Sequence, residues 1–237
     1  MMPSVDEPMV TPWRPWEAVP VALAALCASL VVAVALAAAG AGVGGIPVLV
    51  TAIVLQVSFV GFSLAWVGVR HRRGVAALGL HSTRATRDLA VGGWSGVALF
   101  AVVAFGILPL IIAFWSALTG GPPDPIDQGL LPTDPTPAHI VLGVIAAVIA
   151  APLGEEVFFR GFLFGSLRGR LGFWRASTIS AAVFAIFHVI PLLMGLMFFV
   201  GVALAWLYER RGSLVAPIGA HAMFNVIGYT LLLMDRA

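Results

Sequence analysis

The sequence has no lysine, a single cysteine, and only 10% charged residues. Each shortage excludes something. Cys27 alone cannot form an intrachain disulfide, and without a C-x-x-C pair there is no thiolate frame for a metal. Cys27 sits in an apolar run and reads as a packing residue. A soluble domain carries about 25% charged residues. With 60% hydrophobic residues and a mean hydropathy of +1.03, this chain is instead an integral membrane protein. The net charge of +2 does not point to nucleic acid. The basic residues are all arginines and most sit in short loops, where they set membrane topology. There is no G-x-S-x-G elbow, no contiguous H-E-x-x-H, and no internal repeat of the kind that marks many transporters.

What is present is a series of apolar runs. At about 20 apolar residues per crossing, the 237 residues suit one domain of six to eight helices. Residues 1–17, with Pro3, Pro8, Pro12 and Pro15, read as a polar, flexible lead in which Trp13 and Trp16 anchor at the interface. Spans are expected at 18–40, 46–69, 88–118, 139–169, 173–190, 192–208 and 214–234. The first run exceeds the 7–15 residues of a signal-peptide core and follows no basic segment, so it is expected to be retained. Pro109 should kink the third span. Residues 119–138 carry six prolines with Asp124, Asp127 and Asp134, and form an exposed connector.

The arginines agree with that count. Alternating spans place the loops at 70–87, 165–175 and 209–213 on one side, with ten of the thirteen arginines. The connector and Arg236 fall on the other. The positive-inside rule then puts the basic loops and the N-terminus in the cytoplasm and the C-terminus across the membrane. The expected fold is an all-α, polytopic cell-membrane protein of about seven transmembrane helices. It divides into a lead (1–17), N-terminal helices with their connector (18–138), and a C-terminal unit (139–237).

Ionisable residues within a span mark function by default, since each costs roughly 2.5–3.5 kcal/mol at the bilayer centre on insertion scales. Glu155, Glu156 and Arg160 lie together in the fourth span. Glu156 and Arg160 are at i and i+4 with the acid N-terminal, the favourable order for an ion pair. Glu155, about 100° around the helix, is left to face a cavity. His188 lies as far past the turn at Leu171-Gly172 as Glu155 lies before it, on the order of 24 Å along each helix. A carboxylate and an imidazole at matched depth make a general-base pair, or part of a metal site. His221 and Asn225, again i and i+4, share a face of the last span and supply hydrogen-bond donors. The bland reading of each histidine and of Asn225 is helix–helix hydrogen bonding. His71 and His81 read as solvated, and His139 as the start of the fourth span at the opposite interface. Gln56, Ser58 and Ser63 read as packing or helix-contact residues.

The three clusters, Glu155-Glu156-Val-Phe-Phe-Arg160, Phe184-Ala-Ile-Phe-His188 and His221-Ala-Met-Phe-Asn225, have the order and spacing of the E-E-x-x-x-R, F-x-x-x-H and H-x-x-x-N signature. In this the sequence resembles the CAAX prenyl protease and bacteriocin-processing (CPBP, or ABI) family of intramembrane proteases. The resemblance covers about residues 139–230; upstream, only Leu78-Gly79-Leu80 adds to it. It implies that the last four helices form a catalytic core hydrolysing a peptide bond in or near the membrane. Glu155 and His188 would activate water, His221 and Asn225 would stabilise the oxyanion, and Glu156 and Arg160 would support them. A metal-free site is favoured, with zinc on Glu155, His188 and His221 as the alternative. The implied partners are a peptide or membrane-protein substrate and the lipid bilayer. Two other readings compete: a non-catalytic immunity or scaffold protein, and a small proton-coupled carrier whose Glu and His groups relay protons.

Overall fold

The computed structural model describes residues 11–42, 44–123 and 131–235. Pro3, Pro8, Asp124, Asp127 and Arg236 lie outside them. Six helical runs among the described residues are long and apolar enough to cross a membrane: α1 (Pro15–Ala38), α2 (Ile46–Arg70), α3 (Ala85–Thr119), α4 (Pro137–Ile186), α5 (Pro191–Arg211) and α6 (Val215–Asp235). The described residues contain no strand. The protein is all-α and polytopic.

Six such runs stand where seven spans were expected, because α4 covers the fourth and fifth. It is broken where a turn was expected, at Gly172 (φ 76°, ψ 170°). The arm beyond, 173–186, is about 21 Å long at 1.5 Å per residue, short of the roughly 30 Å hydrocarbon core. It ends at Ile186, and a turn over residues 187–190 leads into α5. Hydropathy cannot detect this, since Phe187, Val189 and Ile190 are as apolar as a span. Pro191 decides it. Proline disfavours helical geometry in the residue before it, and Ile190 is extended (φ −90°, ψ 118°).

The internal prolines of α3 and α4 do not break their helices. A proline lacks an N–H and crowds the carbonyl four residues back. Here Val103–Ile107 precede Pro109, and Ile145–Ala150 precede Pro152, in π geometry. That wider winding re-registers the backbone ahead of the ring.

α4 is the central helix. Every residue from Glu156 to Leu167 is buried, whereas α1 leaves Leu23, Leu30, Val31 and Val34 exposed to lipid. Cys27 is exposed on α1 as well, contrary to the packing role expected. Phe59 of α2 stacks on Phe158 at 4.6 Å between ring centroids and meets Phe159 edge-on. α6 lies against α3 through small residues: the sites of missing Cβ atoms at Gly92 and Gly96 fall on the backbone of Ala216 and Ala220. Such close approach replaces the hydrophobic drive that lipid does not supply.

The basic loops converge at one end of the bundle. Arg211 pairs with Asp88, and Arg168 forms a bidentate pair with Glu209. Leu214 N donates to Gly79 O at 2.9 Å. The lead joins this end and is not the loose anchor the sequence implies. Trp13 is fully buried, donates from Nε1 to Phe162 O at 3.0 Å, and stacks on Phe162. Trp16 is 58% exposed, as an interfacial residue should be. Glu17 accepts from Trp66 Nε1 (2.7 Å) and meets His71 Nε2 (2.8 Å), so His71 is not solvated. His81 is exposed, as expected.

Candidate active site

The glutamates lie where α4 passes from an α turn (Ala151–Glu155) into nine residues of π winding (Glu156–Phe164). Long π stretches are rare and tend to coincide with functional positions. Glu156 is fully buried, with Arg160 Nη1 donating to its Oε1 at 2.9 Å. The i, i+4 pair read from the sequence is therefore formed. Arg160, also fully buried, donates from Nη2 to Gly201 O on α5 at 3.2 Å and sets its Cζ 4.4 Å from the Phe184 ring centroid. Both arms of α4 and the backbone of α5 thus hold one guanidinium, which a charge without water requires.

Glu155 differs from its neighbour. Its side chain keeps 13% of its exposure, against none for Glu156. Gln56 Nε2, from α2, donates to its Oε1 at 2.8 Å. Its Oε2 faces His221 Nε2 at 3.7 Å, within ion-pair range but longer than a hydrogen bond.

His221 joins the two glutamates. Its Nδ1 is 3.0 Å from Glu156 Oε1, and its other nitrogen is turned to Glu155. Straight helices would leave His221 a couple of turns nearer the basic end; the packing of α6 closes that gap. An ionised Glu156 can only accept, so Nδ1 carries the hydrogen, and Nε2 can donate as well only in the imidazolium form. Asn225, one turn further on, donates from Nδ2 to Ala147 O of α4 at 2.7 Å. One of its amide hydrogens is thus committed to holding the helices together.

His188 is placed differently from expectation. The helix ends at Ile186, so His188 sits in the turn between the arm and α5. Its Nδ1 is 2.9 Å from Phe184 O. Among the described residues no hydrogen bond or ion pair joins His188 to Glu155. Phe184 connects the histidines: its ring lies 4.8 Å from that of His188 and 6.1 Å from that of His221. Among the described residues no three His, Cys, Asp or Glu side chains converge as a metal-binding group, so Glu155, His188 and His221 do not form a three-ligand set in this arrangement.

Two contributors carry weaker sequence signals. Gln56 looks like any polar residue in a span, and only its packing on α4 reveals its partner. Phe184 opens one of the motifs but shows its role only once Arg160 and both imidazoles surround it. Ser63 is buried with no hydrogen-bond partner for Oγ among the described residues, and Ser166 bonds back to Leu163 O. Neither reaches the glutamates.

Residues 137–227 match the profile of a family described as type II CAAX prenyl endopeptidase Rce1-like. A Bacillus subtilis (strain 168) protein named "Putative membrane peptidase YdiL" is 35% identical over 86 residues, which cover 36% of this chain and 35% of the relative. The similarity thus spans about a third of that protein's length. No solved structure matches the chain.

Proposed function

We propose that the chain is an intramembrane endopeptidase hydrolysing a peptide bond in or beside the bilayer, a reading supported by the match of residues 137–227 to the Rce1-like profile of type II CAAX prenyl endopeptidases. The observation that carries the reading is the unequal environment of the paired glutamates. Glu156 is sealed and neutralised by Arg160, while Glu155 keeps access and faces an imidazole. A clasp that served packing alone would bury both.

In the proposed reaction Glu155 is the general base. It takes a proton from water as the oxygen attacks the scissile carbonyl carbon. The tetrahedral oxyanion accepts hydrogen bonds from Nε2 of His221 in its imidazolium form and from the free N–H of Asn225. Collapse breaks the C–N bond, and the proton held by Glu155 passes to the departing amine. His188 assists in orienting the water, and its place on a turn gives it freedom that a mid-helix residue lacks. Glu156 fixes the His221 ring through Nδ1, and Arg160 pairs with Glu156 and holds it in place. Every step uses side chains of the chain itself. The convergence of the arginine loops at one end supports placing that end in the cytoplasm, with the far end of α6 across the membrane.

The test is cleavage of a quenched-fluorescent peptide library by purified protein in detergent, with wild type, Glu155→Gln and His188→Ala compared with and without chelator. The expected result is cleavage by wild type, unaffected by chelator, and loss in both variants at unchanged unfolding temperature. Equal cleavage by wild type and Glu155→Gln would refute the assignment. Loss of wild-type cleavage with chelator would refute the metal-free form of it.

A further inference from the structure

Glu155 has one hydrogen-bond donor among the described residues, and it comes from outside the segment that matches the family. Gln56 is 8% exposed, on a helix whose neighbouring side chains are apolar, and its Nε2 lies 2.8 Å from Glu155 Oε1. The contact is built into the backbone. A Cβ on Gly154 would come within 2.6 Å of both Gln56 O and Gln56 Oε1, and within 2.8 Å of Gln56 Cα. Any larger residue before Glu155 would push the two helices apart. Phe59, nearly one turn along α2, stacks on Phe158 and fixes the rotation of α2 about its axis.

The direction of the bond is chemically determined. An ionised carboxylate only accepts, so the carboxamide must turn its NH2 toward Glu155. Its own Oε1 is then buried without a hydrogen-bond partner among the described residues. A buried, unpartnered carbonyl is costly, and a residue serving only as helix glue would be expected to satisfy both ends. The arrangement accepts that cost to keep a donor on one oxygen of Glu155.

We propose that Gln56 is a positioning residue for Glu155, selecting which carboxylate oxygen acts as base. With Oε1 held by the amide, Oε2 is the oxygen left with its lone pairs free, and it is the one turned to His221 at 3.7 Å. Gln56 thereby fixes the side-chain torsions of Glu155 and aims Oε2 at the space shared with the oxyanion donors. This rests on the proposed proteolysis, within which Gln56 touches neither substrate nor water.

The test uses the full chain with Gln56→Met, which keeps length and removes the donor, and Gln56→Glu, which sets an acceptor against an acceptor. Steady-state cleavage should show kcat lowered by about tenfold to a hundredfold in both, as expected when a reacting group is misaimed, with KM within about twofold. The carboxylate bands of Glu155, isolated as the wild-type minus Glu155→Gln infrared difference spectrum, should shift in Gln56→Met. A kcat within twofold of wild type in Gln56→Met would overturn the proposal, as would unshifted bands. If wild type cleaves nothing, the infrared bands by themselves decide whether Gln56 holds Glu155, and unshifted bands overturn the proposal.

Discussion

Arg160→Met is the sharpest test of how the bundle tolerates charge. Arg160 and Glu156 have no exposed side-chain surface, and their contact is 2.9 Å. Methionine keeps most of the aliphatic stem, so little cavity opens. What is lost is the guanidinium, with its bonds to Glu156 and to Gly201 O and its place over Phe184. Breaking a buried pair from one side costs about 3–5 kcal/mol, because the remaining carboxylate is left uncompensated. The cation–π contact adds about 0.5–2 kcal/mol. The expected loss is therefore about 3.5–7 kcal/mol, read by reversible unfolding in mixed micelles through tryptophan fluorescence. In the double variant Glu156→Gln/Arg160→Met no charge is stranded, and most of the loss should return, with a coupling of about 2–3 kcal/mol. A loss below about 1 kcal/mol for Arg160→Met, the value of an exposed pair, would refute the reasoning. So would a double variant no more stable than Arg160→Met alone.

Three further outcomes are expected from the same unfolding measurement. Trp13→Ala should cost about 3–5 kcal/mol, since Trp13 is fully buried, and Trp16→Ala should stay within about 0.5 kcal/mol, since Trp16 is 58% exposed; equal effects would refute docking of the lead. Gly96→Ala should cost about 1–3 kcal/mol by overpacking, because its Cβ would meet the Ala220 carbonyl of α6; a neutral result would mean that α3 and α6 are less tightly packed. Val189 follows His188 with φ +48°, a backbone region that penalises a β-branched residue, so Val189→Gly should stabilise by about 1 kcal/mol; a loss would show that the turn is not strained.

How much was legible in the sequence follows the range of the interactions concerned. The Glu156–Arg160 pair is a matter of i, i+4 spacing on one helix, and it is formed as read. The break at Gly172 and the gathering of arginines at one end are likewise local or statistical properties of the chain. The lead was misread because Trp13 and Trp16 look alike in sequence. Which one docks depends on which indole N–H reaches Phe162 O, on a helix about 150 residues away. His71 was misread for the same reason, its partner Glu17 lying in a different element.

The sequence by itself determined that this is a helical membrane protein, which spans carry ionisable groups, and which polar residues share a helix face at i, i+4 spacing. Those properties follow from hydropathy and from the 3.6-residue period, and both act within a helix. Only the tertiary structure decided how the groups meet. It bridged the two glutamates with His221, put His188 on a turn without a bond to Glu155, and brought Gln56 to Glu155 through the missing Cβ of Gly154. The physical reason is that pairings between helices depend on rotation, tilt and close approach. In a bilayer these are set by small residues and buried polar contacts far apart in the chain, where no sequence period reaches.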